Sequence, residues 1–147
     1  MRFACASVLL LLVGCGDDGG PEPLLPADYA ATFVQARDCR GSGDHDLRQI
    51  RVVADPGAAQ IYVARSGEFE PGALIVKEEF DFGDADCAGE PVQWTLMYRD
   101  AAGPLGWTWQ RIDPDRTVVT ENDSRCVGCH TECGVAPDGF LGTCAVP

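Results

Sequence analysis

The sequence predicts an α+β domain: a predominantly antiparallel β-sheet with short helices packed on it, ending in a C-terminal segment with a Cys-x-x-Cys-His run. Three observations carry this. Three stretches alternate apolar and polar residues with period two, as half-buried strands do. Two short stretches begin with helix-start chemistry. The C-terminal stretch from Thr120 on is rich in Gly, Cys and polar residues, which predicts mostly loop with one helical turn.

Taken in order, Asp28 is placed to cap a short helix with Tyr29, Phe33 and Val34 along one side. Residues 50–53 are apolar and β-branched apart from Arg51 and read as a strand. Asp55-Pro56 reads as an N-cap followed by proline in the first turn, and Gly67 ends that helix after Arg65. Residues 73–82 form the clearest strand. Leu74, Val76, Glu78, Phe80 and Phe82 make its apolar face, and Ala73, Ile75, Lys77, Glu79 and Asp81 the polar one. Residues 92–99 align Val92, Trp94, Leu96 and Tyr98, and residues 106–112 align Trp107 and Trp109. Gly103-Pro104 between these two runs predicts an antiparallel hairpin. The tryptophans read as core, with packing against a bound group as the sharper alternative.

Length and composition bound the function. A chain of 147 residues that is 46% hydrophobic and 23% charged is built as one globular domain. A net charge of −12 excludes a nucleic-acid partner, because phosphates would be repelled. It also excludes electrostatic attachment to an anionic membrane. The acidity itself reads as solubility.

Residues 1–14 read as an export signal: one arginine, then an apolar stretch over residues 3–13 too short to span a bilayer. It ends in Leu12-Val13-Gly14-Cys15, which resembles the bacterial lipobox, so Cys15 is the expected site of lipidation and membrane anchoring. The competing reading is an ordinary signal peptide with an incidental cysteine. Residues 15–26 are polar and Gly/Pro-bearing and read as a flexible tether. Residues 27–147 are the expected domain, exported and held at a bacterial membrane.

Eight cysteines are too many for a reduced cytosolic domain of this size. Cys126-Val127-Gly128-Cys129-His130 is the pattern of covalent haem c attachment. Two thiols a helical turn apart bind the haem's edge, and the adjacent histidine reaches the iron. One such haem is expected, with His130 as proximal ligand. Three other readings stand beside it: a zinc site using Cys126, Cys129, His130 and Cys133, a redox Cys-x-x-Cys, and a plain disulfide.

With these pieces in place, the chain resembles the cytochrome P460 family, including the related c′-β cytochromes. The likeness runs from about Ala58 to Phe140. It rests on Phe69-Glu70-Pro71-Gly72-Ala73-Leu74-Ile75-Val76-Lys77-Glu78, Trp94-Thr95-Leu96-Met97-Tyr98-Arg99-Asp100, Gly106-Trp107-Thr108-Trp109, the haem motif, and Asp138-Gly139-Phe140, in that order. The resemblance implies an antiparallel β domain around one c-type haem that binds or turns over small nitrogen species, and a homodimer. The family's enzymes carry a lysine cross-linked to the porphyrin. The sole lysine here, Lys77, falls on the polar face of its strand, so no buried cross-link is expected. Cys39, Cys87, Cys133 and Cys144 depart from the family pattern and suggest disulfides. Of three connectivities, Cys39–Cys87 with Cys133–Cys144 is the expected one.

For the far side of the iron, His45 in a glycine-bearing loop and Met97 on its strand are the candidate sixth ligands. A surface role for His45 and gap filling by Met97 are the plainer readings. Glu78, between Val76 and Phe80 on the apolar face, is the candidate proton-transfer residue over the haem. Alternatively it is a sheet glutamate paired with an arginine. The expected function is binding of nitric oxide or oxidation of a small nitrogen compound such as hydroxylamine, with a redox partner protein. The alternatives are an electron-transfer cytochrome and a haem-free, disulfide-stapled binding lipoprotein.

Overall fold

A computed structural model describes residues 19–144 except Ala102 and Asp138. The export signal, Cys5, the lipidation candidate Cys15, and Asp138 of the resemblance lie outside the described residues.

Six strands form one antiparallel sheet in chain order: β1 (Val34–Gly41), β2 (Gln49–Ala54), β3 (Leu74–Phe80), β4 (Gln93–Arg99), β5 (Trp107–Ile112) and β6 (Val118–Glu121). Three helices accompany it: α1 (Tyr29–Thr32), α2 (Pro56–Ala64) and α3 (Ser124–Cys133). The helix at Asp55 forms as its residues predict. Asp55 Oδ1 accepts from the backbone N–H of Gly57 and Ala58, Pro56 is the first helical residue, and Arg65 closes the helix in a left-handed conformation. The same carboxylate accepts from Leu74 N–H at 2.6 Å, tying α2 to β3. Asp28, in contrast, makes no side-chain cap to α1.

Three elements differ from expectation. β1 has too few apolar residues to announce a strand. Its pairing with β2 carries it, through two register irregularities between Gln35 and Arg40. β6 is short and half-exposed. The C-terminal segment is not mostly loop: α3 runs for ten residues, capped by Asp123, which accepts from Arg125 N–H at 2.8 Å.

Both faces of the sheet are covered, and this decides where the site lies. One face carries Leu74 and Val76 of β3, Leu96 of β4 and Ile112 of β5, packed against Leu25 and Tyr29 of the N-terminal segment. The expected tether therefore docks at its end: Gln110 bonds Glu22 O and Leu24 N, and Arg116 bonds Leu25 O. The other face carries Ala73, Ile75, Met97, Trp107 and Trp109 against α2, with Cys126 and Val127 of α3 at its margin. The odd residues of β3, read as its polar face, thus belong to a second interior.

Candidate functional site

α3 builds one wall of the site. Positions 126, 129, 130 and 133 recur at helical spacing, so they share one face, and all four line a cavity of about 660 Å³. That volume lies within the usual range for cofactor sites. Cys126 and Cys129 are free thiols, the first half-buried and the second exposed. Burial is the main cause that raises the Cys126 thiol above its ordinary value, and Asp123 adds to it.

His130 is held in one orientation. Its Nδ1 lies 2.6 Å from the carbonyl oxygen of Gly142. A carbonyl only accepts, so Nδ1 carries the hydrogen and Nε2 keeps its lone pair. Burial pushes the imidazole down to about 4, so the ring is neutral near pH 7. Trp109 leans on it, ring centroids 6.0 Å apart. A disulfide between Cys133 and Cys144 brackets this arrangement, closing the chain just beyond Gly142. A second disulfide joins Cys39 to Cys87, 48 residues apart. His130, Cys133 and Cys144 lie close enough to suggest a metal cluster, but the two thiols are spent on each other.

The sheet supplies the facing wall. Lys77 lines the cavity together with Ile75, Met97 and Trp109. The polar face of the strand, where Lys77 was expected, is thus the face that lines the cavity. Loss of hydration pushes its amine down to about 8, against the opposing pull of the Glu79 charge. Met97 sits in register between Ile75 and Trp109 on the adjoining strands and is buried among them, where it packs as core.

Glu78 is not over this cavity. It lies on the opposite face, where Arg51 Nε donates to it at 2.6 Å and the Tyr29 hydroxyl at 2.9 Å. The period-two rule sends neighbours to opposite faces, so the cavity acid is the next residue. Glu79 is 1% exposed. Its Oε1 meets His45 Nδ1 at 3.2 Å and Thr95 Oγ1 at 3.0 Å, and its Oε2 accepts from Gln93 Nε2 at 2.7 Å. Burial by itself pushes the Glu79 carboxyl up, but His45, Gln93 and Thr95 together hold it below its ordinary value. His45 reaches the cavity as expected of a ligand candidate, yet both ring nitrogens are engaged, Nδ1 by Glu79 and Nε2 by Lys77 Nζ at 2.5 Å. Glu79 and Lys77 were legible only as a polar stripe beside Ala73 and Ile75. That mixed stripe was the available signal.

These residues fit a haem. Two free thiols and a neutral imidazole project from one helix face, and an apolar patch of Val52, Ile75 and Met97 lines the same space. Arg40 and Arg111 on the lining suit a haem's carboxylates. Trp109 and Arg111 each carry a buried nitrogen without a hydrogen-bond partner among the described residues, as expected where a group is to be received.

No curated protein is significantly similar to the chain. The family model for cytochrome P460 matches residues 26–136, which take in all six strands, most of the cavity lining and the Cys-x-x-Cys-His run. On a match over well more than half its length, the chain belongs to the cytochrome P460 family, and membership implies a haem cofactor.

Proposed function

We propose that the protein is an exported, lipid-anchored cytochrome with one covalent haem c, which binds nitric oxide or oxidises a small nitrogen compound such as hydroxylamine. The observation that carries this is the union, in one cavity, of two free thiols, a neutral histidine with Nε2 available, and a polar cluster on the opposite wall. Cys126 and Cys129 would hold the haem's edge and His130 its iron. The bound haem would supply one-electron chemistry and a site for a small ligand.

The chain's own residues set the terms. Gly142 fixes the His130 tautomer and ring direction, as outer partners of metal ligands do. Met97 is packed as core and His45 is committed at both nitrogens, which favours an iron without a firm protein sixth ligand. Lys77 lies on the cavity wall with its Nζ 2.5 Å from His45 Nε2, and in this reading it stays a free amine rather than a porphyrin cross-link. The cysteine-terminated leader supports lipid anchoring, and the two disulfides support an oxidising compartment. Among the described residues no helix is long and apolar enough to cross a membrane.

The test is the absorption spectrum of the purified, matured protein with and without nitric oxide. A five-coordinate spectrum that changes on addition is the expected result. A low-spin, six-coordinate spectrum unaffected by nitric oxide would assign electron transfer instead, and a mature chain without covalent haem would refute both. Changing Cys126 or Cys129 singly to Ala should leave the haem attached by one bond, seen as retained haem mass with a shifted spectrum.

A further inference from the structure

We propose that Lys77, His45 and Glu79 form a proton path between solvent and the cavity, with His45 carrying the proton and Glu79 orienting it. The inference rests on the haem reading above, which gives the transferred protons a use. The three side chains stand in line: Lys77 Nζ lies 2.5 Å from His45 Nε2, and His45 Nδ1 lies 3.2 Å from Glu79 Oε1. Glu79 cannot turn away, because Gln93 donates to one oxygen and Thr95 to the other. An ionised Glu79 only accepts, so it draws the imidazole hydrogen to Nδ1 and turns the Nε2 lone pair toward the lysine.

The step balances without an oxidant. A proton passes from Lys77 Nζ to the Nε2 lone pair, and the N–H bonding pair stays on the amine. The imidazolium forms beside the Glu79 carboxylate, which offsets its charge. His45 is 22% exposed, against 1% for Glu79, so the histidine returns the proton to water. The reverse sequence delivers a proton inward. Lys77, half-buried on the cavity wall, is the inner end of the path, and the reacting group in the cavity exchanges protons with it.

The path is also held in place. The Cys39–Cys87 disulfide anchors the strand that leads into the His45 loop. From α3, Arg125 bonds Asp44 O and the Asp46 carboxylate on that loop, at 3.4 and 3.3 Å. Other charges bear on the lysine and its partner. Arg40 opposes a positive Lys77, whereas Asp44 favours it, and Arg48 stands 3.9 Å from Glu79. His130 feels both Lys77 and His45 as positive charges. Against burial, the Glu79 charge is the main support for a protonated Lys77, so its neutralisation should make the amine lose its proton at lower pH.

Glu79→Gln and His45→Gln test this in the matured full-length protein. Both variants keep side chains that can hydrogen bond, so a merely structural cluster would tolerate them. The first readout is the pH titration of the ferric haem spectrum. The path predicts that Glu79→Gln lowers the wild-type midpoint by roughly one unit or more, and that His45→Gln abolishes that transition. The second readout needs no haem chemistry: the pH profile of Lys77 acylation by acetic anhydride, read by mass spectrometry on the peptide holding the chain's sole lysine. Its midpoint should fall in the same direction in Glu79→Gln. If the purified chain holds no covalent haem, the haem reading fails and the acylation profile alone decides the path. Unchanged profiles in both variants would overturn it.

Discussion

At the scale of single residues, the two neighbouring glutamates show how one peptide step separates structural from site chemistry. Glu78 and Glu79 are both buried acids, and each is stabilised by named partners on its own face of the sheet. For Glu79 the sign of the pH dependence follows from its lowered pKa. A carboxyl held below its ordinary 4.5 in the folded state stabilises the fold above that value, and the contribution is lost as pH falls through the folded pKa. Urea midpoints at pH 7 and pH 3 should therefore differ less in Glu79→Gln than in the wild type. On the other face, the Tyr29 hydroxyl donates to Glu78 and accepts from Trp94 Nε1 at 2.8 Å. Burial first, and then the Glu78 charge, raise its pKa to about 12. Its stabilising proton is thus present below the ordinary 10.0 and lost as pH rises through about 12. Tyr29→Phe leaves Trp94 without that acceptor and removes one donor from a buried carboxylate, which should cost about 1–3 kcal/mol in urea unfolding. Haem attachment should be unchanged, because none of these groups faces the cavity.

At the scale of elements, α2 and α3 are placed by caps, and the caps differ in what depends on them. Asp55 closes the start of α2 with Oδ1 and holds β3 with Oδ2, so Asp55→Ala removes three backbone acceptor bonds at once. A cap alone is worth about 0.5–2 kcal/mol, and the β3 bond should bring the loss to the upper end of that range by chemical denaturation. This cap was readable from Asp55-Pro56 because the relevant groups are adjacent in sequence. The strands of residues 73–82 and 92–99 were readable for a similar reason, since alternation is local. What alternation cannot supply is which face holds the site. A stripe of Ala73, Ile75, Lys77 and Glu79 looks solvated until a second layer is known to cover it. Here that layer is α2, which directly precedes β3, together with α3 and the His45 loop, which lie far from it in sequence. α3 itself was under-read because glycines and cysteines mask a helix, although Asp123 and the 126, 129, 130, 133 spacing mark one. β1 was unreadable because Val34-Gln35-Ala36-Arg37-Asp38-Cys39-Arg40-Gly41 carries no alternating apolar set, and its strand character comes from the β2 ladder.

At the scale of the whole molecule, the sheet divides the labour. Its N-terminal-segment face closes a conventional core, and its other face is opened toward one end into the cavity. An open end costs buried apolar area, and the two disulfides lie where that cost falls. Cys133–Cys144 secures the chain around His130. Cys39–Cys87 ties the irregular edge strand β1 to the connection between β3 and β4, with Cys87 itself buried and its carbonyl accepting from Arg51. β1 has few apolar contacts of its own, so this bond should matter more for it than for any central strand. Changing Cys39 and Cys87 together to Ala should lower stability by about 2–4 kcal/mol, the usual worth of such a cross-link. The loss should also be uneven. Elements held by few buried contacts open first, so amide hydrogen exchange should rise in β1 and the His45 loop while β3, β4 and α3 keep their protection. Because α3 carries both thiols and His130, the double variant should still take up haem, whereas the pH response assigned to His45 should be disturbed. Equal loss of protection in α3 would instead mean that the His45 loop and the helix form one cooperative unit, with Arg125, which bonds Asp44 and Asp46 across the cavity mouth, as the link between them.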